Sequence, residues 1–262
     1  MSTPSMELKK KPVGGPVWPA LQFTNTLIKA NLKNLKVLAI SLGFPVFMLF
    51  TFWITTRGPQ EEDFDLMMVM FPAIVALAVM LAGLTQATRI TQWRERGIFQ
   101  RFALTPVPLP ALVLGAAGAQ IITGLLQGIS ILILGVLLGV IAPSIIGLLI
   151  ALGVMFLSAI TFVSFGSVIA TFANRSDVAG YVFFFTFMPV FFLGSFPSEM
   201  LPPLMQRIIV WLPTTMAIEL IGHQLATGVL PEEAIFFFGG LVIYTIVFAA
   251  ISATFFRWEA RC

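Results

Sequence analysis

Residues 145–172 read IIGLLIALGVMFLSAITFVSFGSVIATF, an apolar block without a single charged side chain. A hydrocarbon core of ~30 Å is crossed by ~20 helical residues at ~1.5 Å each, so this block is long enough to span a bilayer. Five more blocks of similar character lie on either side, at 37–56, 66–88, 110–141, 179–196 and 234–256. The whole chain of 262 residues is 58% hydrophobic and only 10% charged, where a soluble domain carries about a quarter charged residues. The sequence therefore predicts an all-α membrane protein with six transmembrane helices.

The segments between the blocks alternate in charge. Lys9, Lys10, Lys11, Lys29, Lys33, Lys36, Arg89, Arg94, Arg96, Arg101, Arg175, Arg257 and Arg261 fall on one side, which is 13 of the 15 basic residues. The other side holds Arg57 and Arg207 with Glu61, Glu62, Asp63, Asp65, Glu199, Glu219, Glu232 and Glu233, eight of the 12 acids. The excess of Lys and Arg marks the cytoplasmic side, and an even number of spans puts both termini there. The net charge of +3 thus reports topology, and no nucleic-acid partner is expected. The expected localisation is a plasma membrane, of the prokaryotic inner-membrane kind.

Residues 1–17 carry Glu7, Lys9 to Lys11, Pro12, Gly14, Gly15 and Pro16 but no apolar stretch of the signal-peptide kind, and read as a cytoplasmic tail. In residues 18–36, Gln22, Asn25, Lys29, Lys33 and Lys36 recur at spacings of three and four, with Leu21, Ile28, Leu32 and Leu35 on the opposite side. That pattern predicts an amphipathic helix on the inner membrane surface, lysines toward headgroups and leucines toward acyl chains. A cytoplasmic extension of the first span is the alternative. Residues 37–262 then form the six-helix transmembrane domain. The segment from Phe196 to Glu233 is too apolar for a plain loop, and Pro197, Pro202, Pro203 and Pro213 divide it. Two short helices at the outer face, one of them re-entrant, are expected over Leu204–Leu212 and Thr215–Ala226.

Catalytic chemistry finds little support. No lysine follows Lys36, so no phosphate loop fits. His223 has no second histidine or cysteine to make a metal site and reads as a partly exposed loop residue, while the lone cysteine, Cys262, excludes an internal disulfide. The spans lack the mid-membrane carboxylates on which ion-coupled carriers rely. Their polar content is Gln86 in the second span and Gln120, Thr123 and Gln127 in the third, beside a stripe formed by Gly124, Gly128, Gly135 and Gly139. Close packing through small residues explains this stripe, and so does a substrate path.

The most specific stretch is Trp93-Arg94-Glu95-Arg96-Gly97-Ile98-Phe99-Gln100-Arg101-Phe102-Ala103-Leu104-Thr105-Pro106. It reads as a short helix closed by Pro106, with a charged head that cannot enter lipid and with Ile98, Phe99 and Phe102 too apolar for water. A protein partner satisfies both, and so does a helix on the headgroups with its arginines paired to lipid phosphate.

With these elements in place, the chain resembles the permease subunits of type-2 ABC transporters. The resemblance covers nearly the whole chain and rests on the amphipathic helix, the six spans, Glu95-Arg96-Gly97, Leu104-Thr105-Pro106, and the proline-rich region with Leu212-Pro213-Thr214 and Gly228. Family members often carry an acid three residues after the loop glycine, where this chain has Gln100. The resemblance implies a non-catalytic subunit of an ATP-driven exporter, paired with a second permease copy or paralogue. It further implies a separate ATPase subunit that holds ATP and Mg. Arg94, Glu95, Arg96, Gly97, Phe99, Gln100, Arg101, Thr105 and Pro106 would then form a coupling helix docked on that ATPase. The uncharged spans suit a hydrophobic or amphipathic cargo such as a drug, an antibiotic or a lipid-like molecule. Glycan or lipid-linked cargo is the alternative within the family, and an ATP-independent carrier or channel the alternative outside it.

Overall fold

The computed structural model describes residues 17–33, 35–56, 66–105, 107–196 and 201–256, with the side chains of 17, 35–38 and 40 outside that set. Ten helices and no strand occur among the described residues: α1 (Val17–Lys33), α2 (Leu35–Thr55), α3 (Leu66–Glu95), α4 (Ile98–Ala103), α5 (Leu109–Leu137), α6 (Ile145–Phe172), α7 (Ser176–Ser195), α8 (Pro203–Ile209), α9 (Pro213–Ala226) and α10 (Ala234–Phe255). The fold is all-α. Five helices, α3, α5, α6, α7 and α10, are long and apolar enough to cross a membrane, and the pair α8 and α9, bent by 84°, makes a sixth if counted as one broken span. The stretch Ser41–Thr55 of α2 is a shorter apolar helix.

Helix ends follow local chemistry. Ser144 caps α6, its Oγ accepting from the Gly147 amide at 3.0 Å. Prolines open α5, α8 and α9, where a missing N–H costs nothing. The third block, expected over 110–141, stops at Leu137 because Gly139 adopts φ +71° and turns the chain. Gly139 therefore leaves the small-residue stripe.

The centre of the bundle is α3, packed by α6, α5, α7, α9 and α2. Close approach to α6 occurs at Gly83 and Gly166, where a methyl group on either would collide with backbone of the other helix, the carbonyl of Phe162 or of Gly83. The stripe on α5 works the same way: methyl groups on Gly124, Gly128 and Gly135 would meet Ala82, Met155 and Phe71. Within α7, Phe183 stacks on Phe187 with ring centres 4.8 Å apart, and Phe165 of α6 meets Phe187 edge-on at 4.7 Å.

Two elements are placed more closely than the sequence could place them. First, α9 is no surface helix: Thr214, Thr215, Met216, Ala217, Leu220 and Ile221 are buried, and the helix packs against α6, α3, α10 and α7. Its neighbour α8 ends at Ile209, short of Leu212, and Tyr244 on α10 donates to the Trp211 carbonyl at 2.8 Å. Second, on α1 the leucine stripe is not the packed one. Trp18, Leu21 and Leu32 are 57%, 57% and 47% exposed, whereas Phe23, Thr24, Leu27 and Asn31 are partly buried. Thus α1 has three faces: one against protein, one apolar and open, and one bearing the exposed Gln22, Asn25, Lys29 and Lys33. The tail 1–16, the side chains of Leu35 and Lys36, the segment 57–65 and residues 257–262 lie outside the described set.

Candidate coupling surface at the basic end

At its C-terminal end α3 runs past the expected limit of 88 to Glu95. Thirty residues rise about 45 Å, more than the ~30 Å hydrocarbon core, so tilt or a projecting end takes up the excess. Trp93, Arg94 and Glu95 consequently belong to α3, and the short helix α4 begins only at Ile98. The break is Gly97, at φ +64° and ψ +22°, a left-handed conformation that a side chain disfavours.

The two residues before this break tie α3 to its neighbours. Arg94 is buried, and its Nη1 donates to the carbonyls of Ala170 at 2.8 Å and Ala173 at 3.2 Å, capping the C-terminus of α6 with a positive charge. Its guanidinium also sits 5.4 Å from the centre of the Phe256 ring. Glu95 does the converse for α7. Its carboxylate accepts from the Ser176 amide at 2.8 Å and from the Ser176 hydroxyl at 2.9 Å, placing a negative charge at that helix N-terminus. Consecutive side chains of one helix thus hold both ends of the α6–α7 connection.

The apolar residues of the loop are absorbed internally. Phe99 is 1% exposed and packs with Ile90, Ala116, Ala170, Trp93 and Phe256. Phe102 meets Phe23 of α1 at 6.3 Å between ring centres. The expected call on a partner to cover Phe99 is therefore answered by the chain itself. What faces outward is Arg96, Gln100, Arg101, Ala103, Thr105 and, most of all, Leu104 at 90% exposure. The Thr105 hydroxyl donates to the Phe102 carbonyl at 2.7 Å at the end of α4, and Pro106 lies outside the described residues.

Helix α1 is fastened to this end through polar contacts. Thr24 Oγ1 donates to the Gly115 carbonyl of α5 at 3.0 Å. Asn31 accepts from Arg89 of α3 at 3.0 Å and donates to Thr123 of α5 at 3.3 Å. Gln120, with its amide oxygen turned toward Arg89, accepts from both terminal nitrogens of that guanidinium at 3.1 Å. The remaining polar candidates also bridge helices. Gln86 donates to Ser167 of α6 at 3.3 Å, and Gln127 to Ser41 of α2 at 2.8 Å. Gly124 and Gly128 touch α3 and α6 as described above. None of Gln86, Gln120, Thr123, Gly124, Gln127 and Gly128 lines any of three cavities in the bundle, of about 260, 270 and 550 Å³.

The model of the ABC-2 type transporter family matches residues 23–225, from the middle of α1 to the end of α9. The chain belongs to that family. Comparison with curated proteins returned no match. As an ABC-2 membrane domain, the chain is a permease subunit of an ABC transporter, a transport component of a kind that normally works with an ATPase subunit.

In this ABC-2 permease, sequence reading picked out Gln120 and Thr123 but missed their partners Arg89 and Asn31. Arg89 looked like one more member of the basic loop. Its position five residues before Arg94, on the same unbroken helix, was the available signal. His223 lies in the last turn of α9, exposed at the cavity formed by α3, α7 and α9, one turn after Glu219.

Proposed function

We propose that this permease is the membrane half of an ATP-driven exporter whose ATPase is a separate chain docking on the outward face of α4. The observation that carries the reading is the division of labour at the α3–α4 break. Arg94 and Glu95 lock the break to α6 and α7, while Arg96, Gln100, Arg101, Leu104 and Thr105 remain outside, cationic with one protruding leucine. An isolated exposed leucine between arginines suits a protein groove with acidic rims. A push on α4 would then reach α3 through Gly97 and the ends of α6 and α7 through Arg94 and Glu95. ATP binding to a pair of ATPases would shift two permeases between states of different access.

In this reading α2 is the first of six spans, α8 and α9 form a re-entrant pair between the fifth and sixth, and the basic end is cytoplasmic. The α4 helix acts as the coupling helix and α1 rests on the inner leaflet, Trp18, Leu21 and Leu32 toward acyl chains and Lys29 and Lys33 toward headgroups. The cargo is hydrophobic or amphipathic, consistent with membrane helices that carry no acidic residue over 66–93, 109–137, 145–172, 178–195 and 234–255.

The test is co-purification of the tagged permease from its native membrane. Wild type should bring down an ATPase, and Arg101→Glu with Leu104→Asp should lose it while retaining the wild-type elution volume and melting temperature. Retention of the ATPase by that double variant removes α4 from the coupling role. Absence of any ATPase with wild type under gentle extraction turns the reading toward an ATP-independent carrier.

A further inference from the structure

The largest of the three cavities, about 550 Å³, opens between α5, α6 and α10 at the basic end of the bundle. Its walls are apolar, with Leu114, Ala117 and Ile121 from α5, Val163 from α6 and Ala253 from α10, and the ring of Phe256 belongs to its lining. This volume is within the ~300–1,000 Å³ typical of small-ligand sites. Its depth is informative. The lining of α5 runs from Pro110 to Ile121, a rise of about 16 Å, close to half of a ~30 Å hydrocarbon core. The cleft is thus one leaflet deep, and the exposure of Leu114 beside it, 65%, leaves it open sideways.

Two hydroxyls line this cleft without a partner, as the Ser158 hydroxyl of α6 also does elsewhere in the bundle. Serine and threonine hydroxyls in these helices mostly donate to a carbonyl one turn back, as Ser167 does to Val163 at 3.0 Å and Thr161 to Leu157 at 3.0 Å. Ser164 and Ser252 line the cleft, and their hydroxyls take no partner among the described residues, although Ser252 is only 7% exposed. The pairing of Thr161 with Thr245 at 2.7 Å sets α6 and α10 side by side in parallel. Ser252 then lies about one turn nearer the basic end than Ser164. Unused donors at two depths in an apolar cleft suit a ligand that is mostly hydrocarbon with acceptor oxygen near the membrane boundary.

We infer that this cleft holds an acyl chain of a membrane lipid taken sideways from the basic-end leaflet, with the Ser252 hydroxyl donating to its ester carbonyl. The chain's methylenes lie against Ala117, Ile121 and Val163, and the ester sits at the level of Ser252, a turn inside Phe256. This site is separate from the outward face of α4 and does not depend on which cargo is moved.

The experiment reconstitutes the full permease in liposomes of phosphatidylethanolamine and phosphatidylglycerol doped with a phospholipid carrying a diazirine in one acyl chain. Labelled peptides are mapped by mass spectrometry. Labelling should concentrate on 110–121, 160–167 and 249–256 over the α7 surface at Phe185, which is 72% exposed on the single chain. Ala117→Trp, which fills the cleft, should abolish the excess and leave Phe185 labelling unchanged. Ser252→Ala, which keeps the shape, should lower the excess by about fivefold, the loss expected for one hydrogen bond. Uniform labelling around the bundle overturns the proposal, as does an excess that survives Ala117→Trp. If Ala117→Trp alters labelling at Phe185 as well, Ser252→Ala decides, and an unchanged excess in that variant counts against the site.

Discussion

Helices α3 and α10 are built from the same kinds of residue, yet 78% of the most apolar stretch of α3 is buried inside the protein against 17% of that of α10. Hydrophobicity does not explain the difference, because lipid tails solvate Leu and Ile as well as a protein core does. What differs is whether neighbours meet the small residues that both helices carry. Helix α3 presents Ala73, Ala76, Ala78, Ala82, Gly83 and Ala87 in all directions, so five neighbours can press against it. Helix α10 carries Ile235, Ile243 and Ile246 at 88%, 62% and 61% exposure, and Gly239 has nothing within 4 Å of where a side chain would begin. A small residue thus brings helices together only where another helix meets it, as at Gly83 and not at Gly239.

The sharpest way to break this comparison is at the α3–α6 crossing. Gly166→Leu would drive a side chain into the Gly83 backbone, and overpacking that costs ~1–3 kcal/mol in adaptable cores costs more where backbone is the obstacle. Loss of the monodisperse peak in size-exclusion chromatography is the expected result. Next in size is Arg94→Ala, which uncaps α6 by removing two charge-assisted hydrogen bonds. About 3 kcal/mol is expected, read as a lower melting temperature that Arg94→Lys partly restores. Glu95→Ala should cost about 1 kcal/mol, the value of a lost N-terminal cap, and hydrogen exchange should quicken in the first turn of α7 but not in α10. The smallest effect belongs to Gly239→Ala, which should leave the melting temperature within the shift given by ~0.5 kcal/mol. A large loss there would mean that α10 has a protein neighbour on that side.

Much of the fold was legible because membrane spans are written as uninterrupted composition. The block 145–172 became α6 without a residue's change, and 234–256 became α10 to within one. Small residues were partly legible too. Gly124, Gly128 and Gly135 share one packed face, but Gly139 had the same spacing and lies beyond the helix, since periodicity cannot say where a helix stops. The candidate surface was harder. Arg94, Glu95 and Phe99 look like partner contacts in a polar loop, and in three dimensions they are spent on α6, α7 and the interior. On α1, period alone found a leucine stripe, whereas the face against α5 is the one with Phe23, Thr24 and Asn31, whose chemistry matches Gly115 and Thr123.

By itself the sequence determined that this chain is helical and lives in a membrane, because a bilayer admits only long apolar segments whose backbone groups are satisfied within the helix. It also carried the family, through motifs short enough to read locally. Tertiary structure alone decided which apolar helix lies at the centre, that α9 folds back into the bundle, and which charges at the basic end are free. Those outcomes depend on contacts between residues far apart in the chain, such as Arg94 with Ala170 or Gly83 with Gly166, and no local pattern records which partner a side chain will meet.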